Sequence, residues 1–417
     1  MSRLIVQGGR SLCGELTVQG AKNSVLPILA ATILCGELCI LRNCPRLRDV
    51  ETAIAILRHL GAQAWWEADA LYVDSGGVQR GDIPEEWMHE MRSSVMFLGA
   101  ILARLGQAVL YRPGGCELGP RPIDLHISAL RLLGAEIVEQ EETLHCRTGL
   151  LHGTEIRLRT PSVGATENIL LAACGAQGET LVQNAAREPE IVDLQNFLNA
   201  CGADISGAGG SVIRIRGGRA LHGADYTVMS DRIVAATYLC AAASAGGEIA
   251  LQGVQSSHFA TVSTALQEAG CQVFSEKQRI LLRRSRPLRA IGEVVTAPYP
   301  AFPTDGQAVL MAALLKSEGS TRICETMFCD RFRHVEQLRR MGAQITVEGC
   351  RACVHGVPSL RGAEMEATDL RGGAALCVAA LAAEGESVIR QISHIERGYA
   401  DLAGDLRQLG AEVRRVE

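Results

Sequence analysis

The segment Tyr111-Arg-Pro-Gly-Gly-Cys-Glu-Leu-Gly-Pro-Arg-Pro-Ile-Asp-Leu-His126 combines three glycines and three prolines with one cysteine. Such a run reads as a long exposed loop, because Gly and Pro both oppose regular elements. Its thiol, Cys116, stands between Arg112 and Arg121, cations that favour a thiolate and attract anions. The ordinary alternative is an incidental surface cysteine. The chain has 15 cysteines, and others such as Cys35, Cys174, Cys240 and Cys377 lie in apolar runs, where a reduced thiol behaves as a small hydrophobe. The one C-x-x-C, Cys350 to Cys353, lacks a second pair at zinc-site spacing and lies in a strand-like run, so no metal site is expected.

Two further segments suit anions. Gly20-Ala-Lys-Asn-Ser24 leads into an apolar helix and places Lys22 beside the unpaired N–H groups of a helix start. Thr160-Pro-Ser-Val-Gly-Ala-Thr-Glu167 enters a helix in the same way, through Ser162 and Gly164. An ordinary N-cap with a solvated lysine is the competing reading of the first.

These residues sit on a repeated scaffold. Glycines at 61, 134, 202, 270, 342 and 410 each follow an amphipathic helix and precede an alternating strand-like run, such as Ala343-Gln-Ile-Thr-Val347. The spacing is 68 to 73 residues throughout. Each glycine suits a left-handed helix end, so each copy reads as helix, turn, strand. Upstream of these turns, runs such as Gly178-Glu-Thr-Leu-Val-Gln183 and Gly385-Glu-Ser-Val-Ile-Arg390 read as further strands. The six copies form two sets of three, with a break near Tyr226 to Arg232. This implies two similar α/β domains and a site in the cleft between them.

The bulk properties exclude several classes. Hydrophobic residues make up 47% and aromatics 4%, with 44 glycines and a net charge of −5. This balance opposes nucleic acid as the main partner. The N-terminus lacks a secretory pattern, and no apolar run reaches the roughly 18 residues that span a bilayer. A cytoplasmic protein with no membrane insertion is expected, in a reducing compartment that suits scattered free thiols.

An ordered set of motifs carries a resemblance over essentially the whole chain. They are Gly20-Ala-Lys-Asn-Ser24, Met91-Arg-Ser-Ser94, the Pro-Gly-Gly-Cys116 loop, Arg121-Pro-Ile-Asp-Leu-His126, Ser162-Val-Gly-Ala-Thr-Glu-Asn168 and Ala186-Arg-Glu-Pro-Glu-Ile-Val-Asp193. They continue with Ala301-Phe-Pro-Thr-Asp305, Arg331-Phe-Arg-His-Val335, Thr368-Asp-Leu-Arg371 and His394-Ile-Glu-Arg-Gly398. Together they resemble the UDP-N-acetylglucosamine 1-carboxyvinyltransferase family, which catalyses the first committed step of peptidoglycan synthesis. The resemblance implies a two-domain inside-out α/β barrel of six βαβαββ units. One domain would be residues 22–229, the other residues 1–21 plus 230–417.

The resemblance also implies roles. Lys22, Arg121 and Arg397, with Arg92, Arg331 and Arg371, would bind phosphoenolpyruvate, whose phosphate and carboxylate suit guanidinium forks. Asp305 would accept the proton of the sugar 3′-hydroxyl and Cys116 would protonate the methylene carbon, giving a tetrahedral intermediate. Cys116 or Asp369 would take the methyl proton as phosphate leaves. A covalent phospholactoyl adduct on Cys116 is a further role. The UDP-sugar would meet Asn23, Arg92, Arg121, Pro122, Ile123, Asp124, Leu125, Ser162, Val163, Gly164, Asp305 and Met327. Glu188, Asp231, His126 and His394 are secondary candidates, Glu190 accompanies them, and solvated charges or caps are the ordinary reading of the acids. No cofactor is expected. Thr160 replaces a lysine found in part of the family, and Gly372-Gly373 replaces bulkier or more helical residues, which would loosen that helix start by up to about 1 kcal/mol per glycine.

Two other functions compete. Transfer to shikimate 3-phosphate shares the six-fold architecture, but goes with a Gly-Ser-Lys-Ser type motif where this chain has Ala21-Lys-Asn-Ser24, and with no cysteine loop. A catalytically weak UDP-sugar-binding paralogue is the other.

Overall fold

A computed structural model describes residues 2–112, 122–328 and 330–417, with only the backbone of Arg92. The chain divides into two compact units. One is built from the described residues up to Gln19 and from Ser230 onward, the other from Gly20 to Met229.

Each unit is centred on three helices. In the unit ending at Met229 these are α1 (Lys22–Cys35), α2 (Phe97–Leu105) and α3 (Val163–Gly175). In the unit beginning again at Ser230 they are α4 (Arg232–Ala245), α5 (Thr304–Ala313) and α6 (Leu370–Leu381). Within each unit the three pack on one another. Their sequences explain the location. Residues Val25 to Ala31 of α1 are buried on every side, as a helix that is apolar all round requires. Alanine is the commonest residue of α4, and alanine with glycine makes up half of α6, small side chains that suit a buried helix surface.

Three four-stranded sheets surround each helix trio. The repeat is clearest in Glu155–Arg157, α3, Glu179–Gln183, helix Pro189–Ala200, Asp204–Ser206 and Val212–Arg216, which is β-α-β-α-β-β in chain order. Glu155–Arg157 pairs parallel with Glu179–Gln183, Ile156 opposite Val182. The remaining pairs are antiparallel, Val182 opposite Ile213 and Ile205 opposite Ile215. Ile213 and Ile215 are fully buried while Arg214 and Arg216 point out, the two-residue alternation of a half-covered sheet. With helices inside and sheets outside, each unit has the inside-out arrangement.

Three sheets borrow a strand from a distant part of the chain. Leu12–Thr17 pairs parallel with Gly247–Gln252. Asp225–Thr227 completes the sheet of Leu38–Arg42, and Arg3–Gln7 lies between Glu386–Arg390 and Glu412–Val416. The six repeat glycines have φ of 111°, 100°, 98°, 108°, 92° and 89° in chain order, so each ends its helix in the left-handed region as the spacing predicts. Among the described residues, no helix is long and apolar enough to cross a membrane.

Candidate active site

In the unit of residues 20–229, α1 starts at Lys22 with no side-chain cap. The Lys22 Nζ lies 2.7 Å from Asp49 Oδ2, and the two side chains are 10% and 2% exposed. A buried lysine requires such a partner. Asn23 is half-buried in the same turn. The Ser24 hydroxyl donates to Asp193. Asp193 also accepts from Tyr226 Oη at 2.6 Å and from the Met229 N–H at 3.2 Å, tying the N-terminal turn of α1 to helix Pro189–Ala200. Burial raises the Asp193 carboxyl above its ordinary range, against these hydrogen bonds.

The Ser162 hydroxyl caps α3, accepting from the Ala165 N–H at 3.4 Å. The first N–H groups of α3 have no intrahelical acceptor. Asn168 fixes the neighbourhood: its Oδ1 accepts from the Gly99 N–H at 2.7 Å, and its Nδ2 donates to Val95 O at 2.9 Å and to His126 Nδ1 at 2.8 Å. With Nδ1 as acceptor, neutral His126 carries its proton on Nε2, beside Gly164. A Cβ on Gly164 would lie 3.3 Å from that nitrogen.

Among the described residues, a cleft of about 930 Å³ opens between Pro122, Ile123, Asp124 and Leu125 on one side and Arg157, Leu158 and Arg159 on another, with Arg112 and Arg131 at its edge. Arg159 pairs with Asp124. Arg157 and Arg159 escaped the sequence reading because they alternate on a short strand end like ordinary solvated charges.

Glu167 is fully buried on α3, and its carboxyl is pushed up to about 8 by burial, then by the charges of Glu190 and Glu188. Glu190 is also buried, while Glu188 stands half-buried at the N-cap of helix Pro189–Ala200.

In the other unit, Asp305 stands in the first turn of α5. Its Oδ1 accepts from Arg331 Nη2 at 2.5 Å and its Oδ2 from Arg371 Nη2 at 3.2 Å. Both arginine side chains are 3% exposed, and Asp305 is 28% exposed. The Nε of each arginine is buried without a hydrogen-bond partner among the described residues. Burial opposes the Arg371 charge, but Asp305, Tyr399 and Asp231 outweigh it and hold its pKa above the ordinary value. Tyr399 lies under the guanidinium, 5.9 Å from carbon to ring centroid, and its Oη shares a 2.8 Å hydrogen bond with Thr237.

Asp369 caps α6, its Oδ1 accepting from the Arg371 and Gly372 N–H groups at 3.0 and 2.9 Å. Its Oδ2 accepts from the Thr368 hydroxyl at 3.1 Å. Asp231 caps α4 through the Ile233 and Val234 N–H groups, so the capping role is real and coexists with its charge on Arg371. Arg397 and His394 are half-buried on the turn Ile392–Arg397, which packs on α6 through Ile395.

Gly372 and Gly373 act differently from the expectation of a loosened helix start. A Cβ on Gly372 would lie 2.6 Å from Asp369 Oδ2 and 3.0 Å from His334 Cβ; one on Gly373 would lie 2.7 Å from Ile395 Cγ1. The glycines therefore permit close packing around Arg371.

Glu325, absent from the sequence candidates, ties this site together. Its Oε1 accepts from Thr296 Oγ1 and the Met327 N–H, both at 2.8 Å, and its Oε2 from Thr304 Oγ1 at 2.9 Å. It thus fixes both the loop carrying Met327 and the start of α5 beside Asp305. Nothing in the local pattern at Cys324-Glu-Thr326 distinguishes it from a strand-end charge. Cys116 and Arg121 lie outside the described residues, as does the Arg92 side chain.

The chain is similar to known proteins over its whole length. The family EPSP synthase (3-phosphoshikimate 1-carboxyvinyltransferase) matches residues 6–406. The chain is 46% identical to UDP-N-acetylglucosamine 1-carboxyvinyltransferase 2 of Caldanaerobacter subterraneus subsp. tengcongensis, covering 100% of both chains. It is 44% identical to the UDP-N-acetylglucosamine 1-carboxyvinyltransferase of Synechocystis sp., covering 99% of this chain and 95% of the relative. Among solved structures, the enolpyruvyl transferase NikO from Streptomyces tendae superposes with a TM-score of 0.89 at 26% identity, covering 100% and 99% of the two chains. The EPSP synthase of Acinetobacter baumannii shares the fold, with a TM-score of 0.77 at 20% identity over 100% of both chains. The inside-out repeats, the cation-held carboxylate and these full-length relationships agree: the chain belongs to the UDP-N-acetylglucosamine 1-carboxyvinyltransferase family of enolpyruvyl transferases.

Proposed function

We propose that this chain transfers the enolpyruvyl group of phosphoenolpyruvate to the 3′-hydroxyl of UDP-N-acetylglucosamine in the cytoplasm, releasing inorganic phosphate. The observation that carries the reading is the grip of Arg331 and Arg371 on Asp305. It joins a carboxylate able to take a hydroxyl proton to two buried guanidinium groups able to bind an anionic substrate.

In this reading Lys22 and Arg397, with Arg92, Arg121, Arg331 and Arg371, hold the phosphate and carboxylate of phosphoenolpyruvate. The Cys116 thiol gives its proton to the methylene carbon while the sugar oxygen bonds to the adjacent carbon and loses its proton to Asp305. The resulting tetrahedral intermediate loses a methyl proton to Cys116 or Asp369, and the carbon–oxygen bond to phosphate breaks. The atoms balance without any cofactor.

For the UDP-sugar, the cleft beside Pro122 to Leu125 takes the uridine, and the first turn of α3 from Ser162 to Gly164 takes the diphosphate, joined by the His126 Nε2–H. Arg157 and Arg159 supply positive charge beside Thr160, where a lysine is missing. Asn23 and Met327 border the sugar. Glu188, Asp231 and His394 orient these groups.

Phosphate release by the purified chain tests the reading. Release from phosphoenolpyruvate that depends on UDP-N-acetylglucosamine is expected. Release driven by shikimate 3-phosphate instead, or by neither acceptor, would overturn it.

A further inference from the structure

Three of the thirteen described cysteines are gathered in one place. Cys35, Cys39 and Cys201 are buried, and their sulfur atoms all lie within 4.8 Å of one another. They come from three elements: Cys35 ends α1, Cys39 lies in strand Leu38–Arg42, and Cys201 follows helix Pro189–Ala200. Four thiolates or imidazoles around a zinc ion place sulfurs about 3.8 Å apart at a metal–sulfur distance of about 2.3 Å, so the observed cluster needs little contraction. The Cys35-x-x-x-Cys39 spacing also falls in the range of paired structural-zinc ligands.

The imidazole offered by the backbone of Cys201 is that of His222. The His222 N–H donates to Cys201 O at 2.9 Å, which fixes its backbone beside the cluster. Its Nδ1 lies 3.0 Å from Gly223 O, an arrangement in which Nδ1–H donates and Nε2 keeps its lone pair. That Nε2 stands over Gly202, 3.2 Å from where a Cβ would be, and the His222 side chain is exposed. The Gly223 N–H is in turn held by Glu37 at 3.1 Å.

We propose that Cys35, Cys39, Cys201 and His222 form a structural zinc site, with His222 turning inward to close the tetrahedron. Binding releases the thiol protons and links the ends of α1 and helix Pro189–Ala200 to the sheet, and the ion takes no part in enolpyruvyl transfer. The site differs from the pair of exposed Cys350 and half-buried Cys353.

Cobalt(II) titration of the full chain, kept reduced with a phosphine, tests the proposal, because thiolate-to-cobalt charge transfer and intense tetrahedral d–d bands report the ligands directly. One equivalent is expected to bind, zinc is expected to displace it, and zinc is expected to raise the melting temperature. Cys39→Ser should abolish the bands. His222→Ala, an exposed change compatible with folding, should shift them and weaken binding by more than the roughly tenfold that even an outer-shell partner contributes. A Cys350→Ser/Cys353→Ser variant should bind normally. Absence of cobalt bands in the reduced chain, bands that survive Cys39→Ser, or an unchanged spectrum and affinity in His222→Ala would each overturn the assignment.

Discussion

Asp305 Oδ1 and Arg331 Nη2 lie 2.5 Å apart, and the arginine is almost wholly enclosed. Arg371 holds the other oxygen of the same carboxylate. Asp305→Asn preserves the shape but removes the proton acceptor. The expected result is a kcat lower by roughly 10²- to 10⁴-fold, with a folded chain by circular dichroism. A kcat within a few-fold of the parent would remove Asp305 from the chemistry.

Lys22 and Asp49 form the corresponding buried pair in the other unit. Lys22→Met takes the cation from an enclosed carboxylate and is expected to destabilise the unit by about 3–5 kcal/mol in urea unfolding. Adding Asp49→Leu should recover much of that loss, because an apolar pair replaces the stranded charge. Activity should stay lost in both variants, which separates the anion-binding role of Lys22 from its structural one. Equal stability of the single and double variants would contradict the pairing.

Gly372→Ala opposes two effects. Helix propensity favours alanine by about 1 kcal/mol, whereas the added carbon would meet Asp369 and His334 at 2.6 and 3.0 Å, and overpacking costs about 1–3 kcal/mol. The clash should win, lowering the urea midpoint and disturbing Arg371. A raised midpoint would show the contact to be soft.

Glu167 gives stability a pH dependence. Its carboxyl has the ordinary value of 4.5 when unfolded and is pushed up to about 8 in the fold, chiefly through burial and then through Glu190 and Glu188. Between these values the unfolded chain has lost a proton that the folded chain keeps, so stability falls as pH rises. His334 has the opposite sign: burial lowers it from 6.5 to about 4, with Asp369 raising it and Arg331 lowering it, so its contribution is lost as pH falls below 6.5. Above about 6.5 His334 no longer opposes the Glu167 slope, which runs up to about 8. Glu167→Gln should flatten the melting temperature across that window, and an unchanged slope would contradict the burial of its charge.

Much of the scaffold was legible in the sequence because repetition made weak signals add. Six glycines at near-constant spacing mark six left-handed helix ends, and runs such as Glu179–Gln183 are the strands they suggest. The site was legible only where a motif carried it. Nothing local at Glu325, Asp49 or Tyr399 announces a role, since each acts through partners far along the chain. The same holds for Cys201, more than 160 residues from Cys35 and Cys39. At Gly372 propensity describes only a solvated helix, whereas the contact an added Cβ would make with His334 is set by a residue far along the chain.

The most direct test of the addition–elimination account is turnover of phosphoenolpyruvate with UDP-N-acetylglucosamine in D₂O, followed by mass spectrometry of the product. Protonation of the methylene carbon by an exchangeable thiol, then loss of one of three methyl hydrogens, predicts deuterium on the vinyl carbon of the product. Product formed without deuterium would contradict protonation at carbon and with it the role assigned to Cys116.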